Sequence, residues 1–127
     1  MEEKMPDFDK SPAELINFFN MTMQAFPQAQ LRKTFGYPCA YINGHMASGL
    51  YADSMFIRLS PSDEQEFLKI PAASSFSPMK NRPMKGYVVI PNELAKSKDL
   101  LQVWISRSFE FVSNLPAKEK KPARKRT

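Results

Sequence analysis

The most reactive side chains of this sequence are one thiol and one imidazole. Cys39 is the only cysteine of the 127 residues, and His45 is the only histidine. An imidazole within hydrogen-bond reach of a thiol can activate it as a nucleophile, and two side chains that face each other about a turn can approach in this way. A free cysteine more commonly packs as a small hydrophobic residue, however, and no third residue is evident that would orient the imidazole. We therefore expect a buried thiol and a solvent-facing histidine, with no catalytic residues.

The sequence holds no pattern for a bound cofactor or metal. Its four glycines, at positions 36, 44, 49 and 86, are too scattered to form a phosphate-binding or dinucleotide loop. With one cysteine and one histidine, a tetrahedral zinc site would need carboxylates, and none has a suitable spacing. We therefore expect no cofactor, no metal and a melting temperature that a chelator leaves unchanged, and we identify no small-molecule substrate.

Positive charge is concentrated at the C-terminal end. The net charge is +5, and residues 116–127 account for all of it, because residues 1–115 hold 12 basic and 12 acidic side chains. The basic residues of this tail are Lys118, Lys120, Lys121, Arg124, Lys125 and Arg126. Such a segment can contact phosphates without reading bases, or it can be a solubilising end or a contact for acidic proteins. A second candidate for a nucleic-acid contact is Lys80, Arg82 and Lys85, with Phe76 nearby to stack a base.

The stretch from Leu31 to Leu59 predicts a β-meander that positions these residues. Asn43-Gly44 is the strongest short hairpin signal, because both residues tolerate the positive φ of a type I′ turn. We expect strands at 31–35, 37–42, 46–51 and 55–59, and a fifth at 84–90. Gly86 within the fifth strand suggests a bulge or a close backbone approach.

Helical patterns flank the meander on both sides. Ser11-Pro12-Ala13-Glu14 has the form of a capping box, so a helix should begin there and end before Pro27. A short helix should begin after Ser60 and end before Pro71. The last pattern is helical from 92 to about 115, with a break near 97. Its apolar face comprises Leu100, Leu101, Val103, Trp104, Ile105, Phe109 and Val112, with Trp104 as a packing anchor.

These elements predict an α+β fold of two layers, with an antiparallel sheet of about five strands covered by helices in the order α-β-β-β-β-α-β-α. The length and a 43% hydrophobic content suit one core. We expect a flexible arm at 1–10, a domain at 11–115 and a disordered basic tail at 116–127. Without a membrane-length apolar run or a signal peptide, a cytoplasmic location and no membrane partner are expected.

An ordered set of short motifs resembles the N-terminal domain of the TfoX/Sxy competence-regulator family. The motifs are Arg32-Lys33-Thr34-Phe35-Gly36, Tyr41-Ile42-Asn43-Gly44-His45-Met46, Met55-Phe56-Ile57-Arg58-Leu59, Phe76-Ser77-Pro78-Met79, Met84-Lys85-Gly86-Tyr87 with Ile90-Pro91, and Leu100-Leu101 with Trp104-Ile105. The resemblance spans residues 8 to 112. It implies an α+β domain of bacterial cytoplasmic proteins, associated with regulation of DNA uptake and transcription, with no established catalytic residues. Full-length regulators of this family carry a second, helical domain where this sequence has its basic tail, which implies a stand-alone N-terminal domain.

The expected function is therefore a non-enzymatic regulatory or binding module that contacts DNA or RNA through its tail, weakly and with little sequence preference. One alternative is a protein-interaction domain, homodimeric, with an incidental tail. Open sheet edges favour self-association, as do Gly49 and Gly86 if a partner's backbone approaches them. The other alternative is an uncharacterised enzyme, which would require a pocket with clustered titratable groups.

Overall fold

An antiparallel sheet of six strands organises the part of the chain that this computed structural model describes, residues 12–34, 36–79 and 83–116. The strands are β1 (Gln30–Thr34), β2 (Tyr37–Ile42), β3 (His45–Tyr51), β4 (Ser54–Arg58), β5 (Ser74–Ser75) and β6 (Tyr87–Val89). Their spatial order is β1-β2-β3-β4-β6-β5. The predicted meander is confirmed. The two-residue strand β5 was not predicted, and β6 is shorter than expected because Gly86, with a φ of 87°, lies in the turn before it.

Four helices complete the fold. They are α1 (Ala13–Met23), α2 (Pro61–Phe67), α3 (Asn92–Ala95) and α4 (Lys98–Ser113). The α+β class and the order of elements are confirmed, and the predicted break near residue 97 separates α3 from α4. Ser60 caps α2 as predicted, since its side chain accepts a hydrogen bond from the Asp63 amide at 3.2 Å. At α1 the N-cap position is held by Pro12, whose extended ψ of 149° keeps it outside the helix, and Ser11 lies outside the described residues.

One face of the sheet packs against the helices to form the main core. Phe19 of α1, Ile57 of β4 and Ile105 of α4 are fully buried there. Trp104 is 7% exposed and meets Phe67 edge to face at 4.9 Å, which confirms it as a packing anchor. The predicted apolar face of α4 was too broad. Leu100 and Val103 are 52% and 46% exposed, because the stripe that meets the sheet runs through 101, 104, 105, 109 and 112.

Two buried hydroxyls fix the centre of the sheet. Ser48 donates a hydrogen bond to the Phe56 carbonyl at 2.8 Å, and Ser108 of α4 donates one to the Ala47 carbonyl at 3.3 Å. The register between β2 and β3 shifts between Ala40 and Tyr41, so Ala47 has no direct partner on β2 and its carbonyl remains available to the helix. Within the described segments, no helix is long and apolar enough to cross a membrane.

Candidate nucleic-acid interface

The sheet face opposite the main core carries a second, smaller cluster, and we call this side of the sheet the open face. Cys39, Phe56 and Phe76 are its buried members, and no helical residue belongs to it. Side chains packed around them are Tyr41, Met46, Met84, Tyr87 and Val89. Phe76 and Met84 cover part of this face, and the Met84 amide donates to the Phe76 carbonyl at 2.8 Å. Among the described residues, no helix packs on the remainder of this face.

Phe76 is a structural residue of the open face and does not offer a ring to a base. It is 5% exposed and stacks on Phe56 with 4.3 Å between ring centroids. Phe56 in turn lies against Gly49, where an added Cβ would meet the Phe56 ring at 2.8 Å and the Cys39 sulfur at 2.7 Å. The close approach predicted at Gly49 is therefore made by side chains of the same chain. The expectation that Phe76 stacks a base was wrong, because the Phe76 ring is already buried in its stack with Phe56.

Two tyrosines of the open face are each paired with an arginine. The guanidinium carbon of Arg32 lies 4.7 Å from the Tyr41 ring centroid, and that of Arg58 lies 5.7 Å from the centroid of Tyr87. Each ring is also held at its hydroxyl. The Tyr41 hydroxyl is 2.7 Å from that of Thr34, and the Tyr87 hydroxyl donates to the Met46 carbonyl at 2.7 Å. We call these two contacts the Arg–Tyr pairs. Burial raises the pKa of Tyr87 despite the opposing effect of Arg58, so the hydroxyl remains a donor.

Charge is segregated between the two layers of the molecule. The six strands hold Arg32, Lys33 and Arg58 and no acidic residue. Of the eight acidic residues described, seven lie in helices and the eighth, Asp53, lies in the turn before β4. The helical acids are Glu14, Asp63, Glu64, Glu66, Glu93, Asp99 and Glu110. The described residues include eight basic side chains, so a formally neutral body has a positive sheet.

The arginines of the open face are also free of carboxylate partners in the described part of the chain. By contrast, Arg107 of α4 lies 3.7 Å from Asp63 and 3.3 Å from Glu66. Arg32 is exposed and Arg58 is half-buried. An incoming anion would therefore displace no ion pair at these two side chains.

The hairpin between β2 and β3 contacts the end of α4 and Pro116. The Asn43 side-chain amide donates to the Ser113 carbonyl at 2.9 Å, and the His45 ring nitrogen Nε2 lies 2.7 Å from the Pro116 carbonyl oxygen. Tyr41 pairs with Met46 at this same end of the sheet. Pro116 therefore lies at the hairpin end of the sheet, where His45 and its partner Ile42 are on the side of the main core.

The residues predicted as nucleic-acid contacts fall mainly outside the described segments. This applies to the six basic residues of the tail, from Lys118 to Arg126, and to Lys80 and Arg82. Lys85 is described and is exposed in the turn before β6, close in sequence to Tyr87. Sequence reasoning missed the Arg–Tyr pairs as a group. The available signal was the absence of any acidic residue from the predicted strands.

Cys39 and His45 do not form a nucleophile and base. Cys39 pairs with Gly49 across the hairpin, whereas His45 pairs with Ile42 and contacts Pro116. The thiol is buried as predicted, and burial raises the pKa of Cys39, which disfavours the reactive thiolate. His45 is half-buried rather than fully solvent-facing. The dyad considered from the sequence is therefore not assembled.

A groove of about 1090 Å³ lies between α1, α3 and the start of α4. Leu15, Phe18 and Leu101 contribute to its apolar lining. Its charged residues are Glu14, Asp53, Lys96 and Lys98, and they form no ion pair with one another. The described segments also contain no group of three or more residues that could hold a metal ion. The groove is therefore a largely apolar depression with two carboxylates and two ammonium groups among its lining residues.

The fold is that of an α+β domain. The family model for the TfoX N-terminal domain matches residues 21–112 of the chain. The chain therefore belongs to the TfoX N-terminal domain family, and this confirms the resemblance drawn from the motifs. The family is not a known enzyme family. The match includes all six strands, so the Arg–Tyr pairs lie within the family domain. No curated protein sequence matches the chain.

Proposed function

We propose that this domain is a non-enzymatic regulatory module, of the kind associated with competence and transcription, that acts by contacting the phosphates of nucleic acid. The observation that carries the proposal is the charge segregation. Arg32 and Arg58 extend from a sheet without carboxylates, while the eight acidic residues that the structure describes lie in the helices or in the turn before β4. A phosphate backbone that approaches the open face meets positive charge there, and the helical layer is oriented away from it.

The Arg–Tyr pairs suit phosphate contact because each guanidinium is already oriented. A planar guanidinium presents several N–H donors in a fixed arrangement, and phosphate oxygens accept them two at a time. Contact with the ring restricts the arginine side chain before binding, so less entropy is lost when the phosphate arrives. Arg32 uses one donor for the Gln30 side chain at 3.0 Å, and its other donors remain for a ligand.

The basic tail extends this surface in the proposal. It follows Pro116, whose carbonyl oxygen lies 2.7 Å from His45 Nε2 at the hairpin. Six basic side chains in the tail would give a log-log salt slope of about −5 on duplex DNA. From its net charge alone, the neutral body would be expected to add little to the salt slope. Its positive charge is concentrated on the sheet, however, so we expect a measurable slope from the body as well. Arg32, Arg58 and Lys85 together would leave a slope of about −2 to −3 after the tail is removed.

The test compares two neighbouring residues of β1 that lose the same charge. Arg32 and Lys33 are both exposed and point to opposite sides of the strand. Fluorescence anisotropy with a labelled duplex, across a salt series, should show a slope reduced by about 1 in Arg32→Gln and an unchanged slope in Lys33→Gln. A protein truncated after Pro116 separates the contribution of the tail and keeps the contact to His45. Equal slopes in both point variants, or no binding by the intact chain, would contradict the proposal.

Homodimerisation through the sheet edge remains an alternative with less support. β1 forms one edge of the sheet and carries Arg32 and Lys33. Two copies of β1 paired about a two-fold axis would bring these charges close to their counterparts, and charged edge strands generally oppose such pairing. Gly49 and Gly86, which suggested a partner's approach, have roles within the chain itself. Nucleic-acid contact is therefore the function that the surface supports best.

A further inference from the structure

We infer that the open face stacks unpaired bases, so that its preferred ligand is single-stranded nucleic acid. The inference rests on the proposed phosphate contact and adds a base contact to it. The residues that carry it are Tyr41 and Tyr87 of the Arg–Tyr pairs. Neither ring belongs to the main core, and both are half-buried at the rim of the second cluster.

The orientation of Tyr87 is set by its hydrogen bond. Tyr87 lies on β6, and its hydroxyl donates to the carbonyl of Met46 on β3, with β4 between these two strands. Neighbouring strands are about 4.8 Å apart, so the side chain must extend across the sheet to reach that carbonyl. The Tyr87 ring meets Phe56 edge to face, with 5.8 Å between centroids. The Tyr87 ring therefore spans β4 on the open face, where it is half-buried.

Tyr41 lies on the other side of Met46. It is the direct partner of Met46 on β2, and Thr34 holds its hydroxyl at 2.7 Å. The two tyrosines therefore flank one half-buried methionine on adjoining parts of the open face. Both rings are held before any ligand arrives, which keeps the entropic cost of stacking low. Phe76 and Met84 cover the neighbouring part of the cluster, so the platform holds about two bases.

An aromatic platform of this shape distinguishes single strands from duplexes. In a duplex the faces of the bases are stacked on one another, and only their edges are accessible in the grooves. A sheet surface of this kind recognises nucleic acid by stacking splayed bases on its aromatic side chains. The guanidinium over each ring is itself a planar group on which a base can stack, and it donates to the adjoining phosphate.

The test uses the full chain and two labelled probes, an oligo-dT of about 12 nucleotides and a duplex of equal length. The intact protein should bind oligo-dT more tightly than the duplex at the same salt concentration. Tyr41→Leu should weaken oligo-dT binding by about 5- to 150-fold and duplex binding by much less, because the duplex loses only the restraint of the ring on Arg32. Tyr41→Phe is the matched control, because it keeps the ring and removes only the hydroxyl contact to Thr34. It should bind nearly as well as the parent.

A second measurement does not depend on the folding of a variant. Oligonucleotides that carry 5-iodouridine should, on irradiation, cross-link to Tyr41 or Tyr87 of the unmodified chain, and mass spectrometry identifies the site. Cross-links confined to other surfaces would overturn the inference. Equal affinity for both probes, with a normal effect of Arg32→Gln, would overturn the base contact and leave the phosphate contact standing. No binding to either probe would overturn both.

Discussion

The contact between Gly49 and its two neighbours gives a prediction whose magnitude follows from the structure. In Gly49→Ala the new Cβ would lie 2.7 Å from the Cys39 sulfur and 2.8 Å from the Phe56 ring. Phe56 cannot easily retreat, because Phe76 stacks on it at 4.3 Å and Tyr87 meets it at 5.8 Å. Overpacking of this kind costs about 1–3 kcal/mol, while alanine in a strand recovers about 0.5–1 kcal/mol of chain entropy. Taken from the middle of both ranges, the expected net loss of unfolding free energy is about 1 kcal/mol.

Urea denaturation measures this loss. With an m-value of about 1–3 kcal/mol per molar, the midpoint of Gly49→Ala should fall by about 0.3–1 M. Cys39→Ala removes the sulfur that the new Cβ would strike, and alone it should cost about 1 kcal/mol for the space it leaves. In the double variant the two costs should not add, because the cavity of one substitution accommodates the methyl group of the other. We expect a coupling of at least about 0.5 kcal/mol.

Together the two single variants and the double variant form a double-mutant cycle, which separates steric conflict from other causes of the lost stability. A Gly49→Ala midpoint at or above that of the parent would refute the packing described for this site. Strictly additive costs in the double variant would show that the sulfur is not the atom that resists the methyl group. An altered m-value would instead indicate a change in the unfolded ensemble, and the comparison would then need native-state measurements such as hydrogen exchange.

Four further predictions concern other parts of the fold. Ser60→Ala removes the cap of α2 and should lower the unfolding free energy by about 0.5–2 kcal/mol in urea denaturation, and an unchanged midpoint would argue against the cap. Gly86 has a φ of 87° and room for a Cβ, so Gly86→Ala should cost about 1–2 kcal/mol and Gly86→Asn less; equal costs would contradict a backbone cause. Burial raises the pKa values of Cys39 and Tyr87 above their ordinary 9.0 and 10.0, so the folded state holds these protons more tightly and stability should fall as pH rises above 9.0. Denaturation in a pH series should show less of this fall in Cys39→Ala. Any self-association through β1 should be abolished by Leu31→Lys, since Leu31 is 50% exposed on that edge strand, and sedimentation that finds only monomer of the parent at high micromolar concentration would remove the expectation.

The sequence predicted the meander well because its signals are local. Asn43 and Gly44 have φ values of 55° and 81°, as the hairpin turn requires, and the bounds of β2 match the predicted 37–42. β5 escaped prediction because Ser74 and Ser75 have no strand pattern. They form a strand only through pairing with Val89 and Val88 of β6, and that contact depends on the tertiary fold.

The candidate site was less predictable than the fold for two physical reasons. The register shift between Ala40 and Tyr41 changes which side chains meet across the hairpin, and a sequence pattern does not reveal such a bulge. The net charge of the body also says nothing about where its charges lie, and a neutral sum does not reveal that Arg32 and Arg58 share a face without carboxylates. The alternation of side chains along the predicted strands could have placed these two arginines on one face of the sheet. It could not have shown which tyrosine each arginine contacts.

The link between the hairpin and the end of α4 also bears on how the chain folds during synthesis. Asn43 and Ser113 are 70 positions apart, and Ser108 and Ala47 are 61 apart. The meander is complete at Arg58, but the helix that covers its apolar side ends only at Ser113. At about 5–20 residues per second, a ribosome needs roughly 3–11 s to add the intervening residues. During that interval the sheet has no α4 to bury Ala47 and Ile57, so a nascent chain halted before α4 should be captured by chaperones or aggregate, whereas one extended past Ser113 should resist proteolysis.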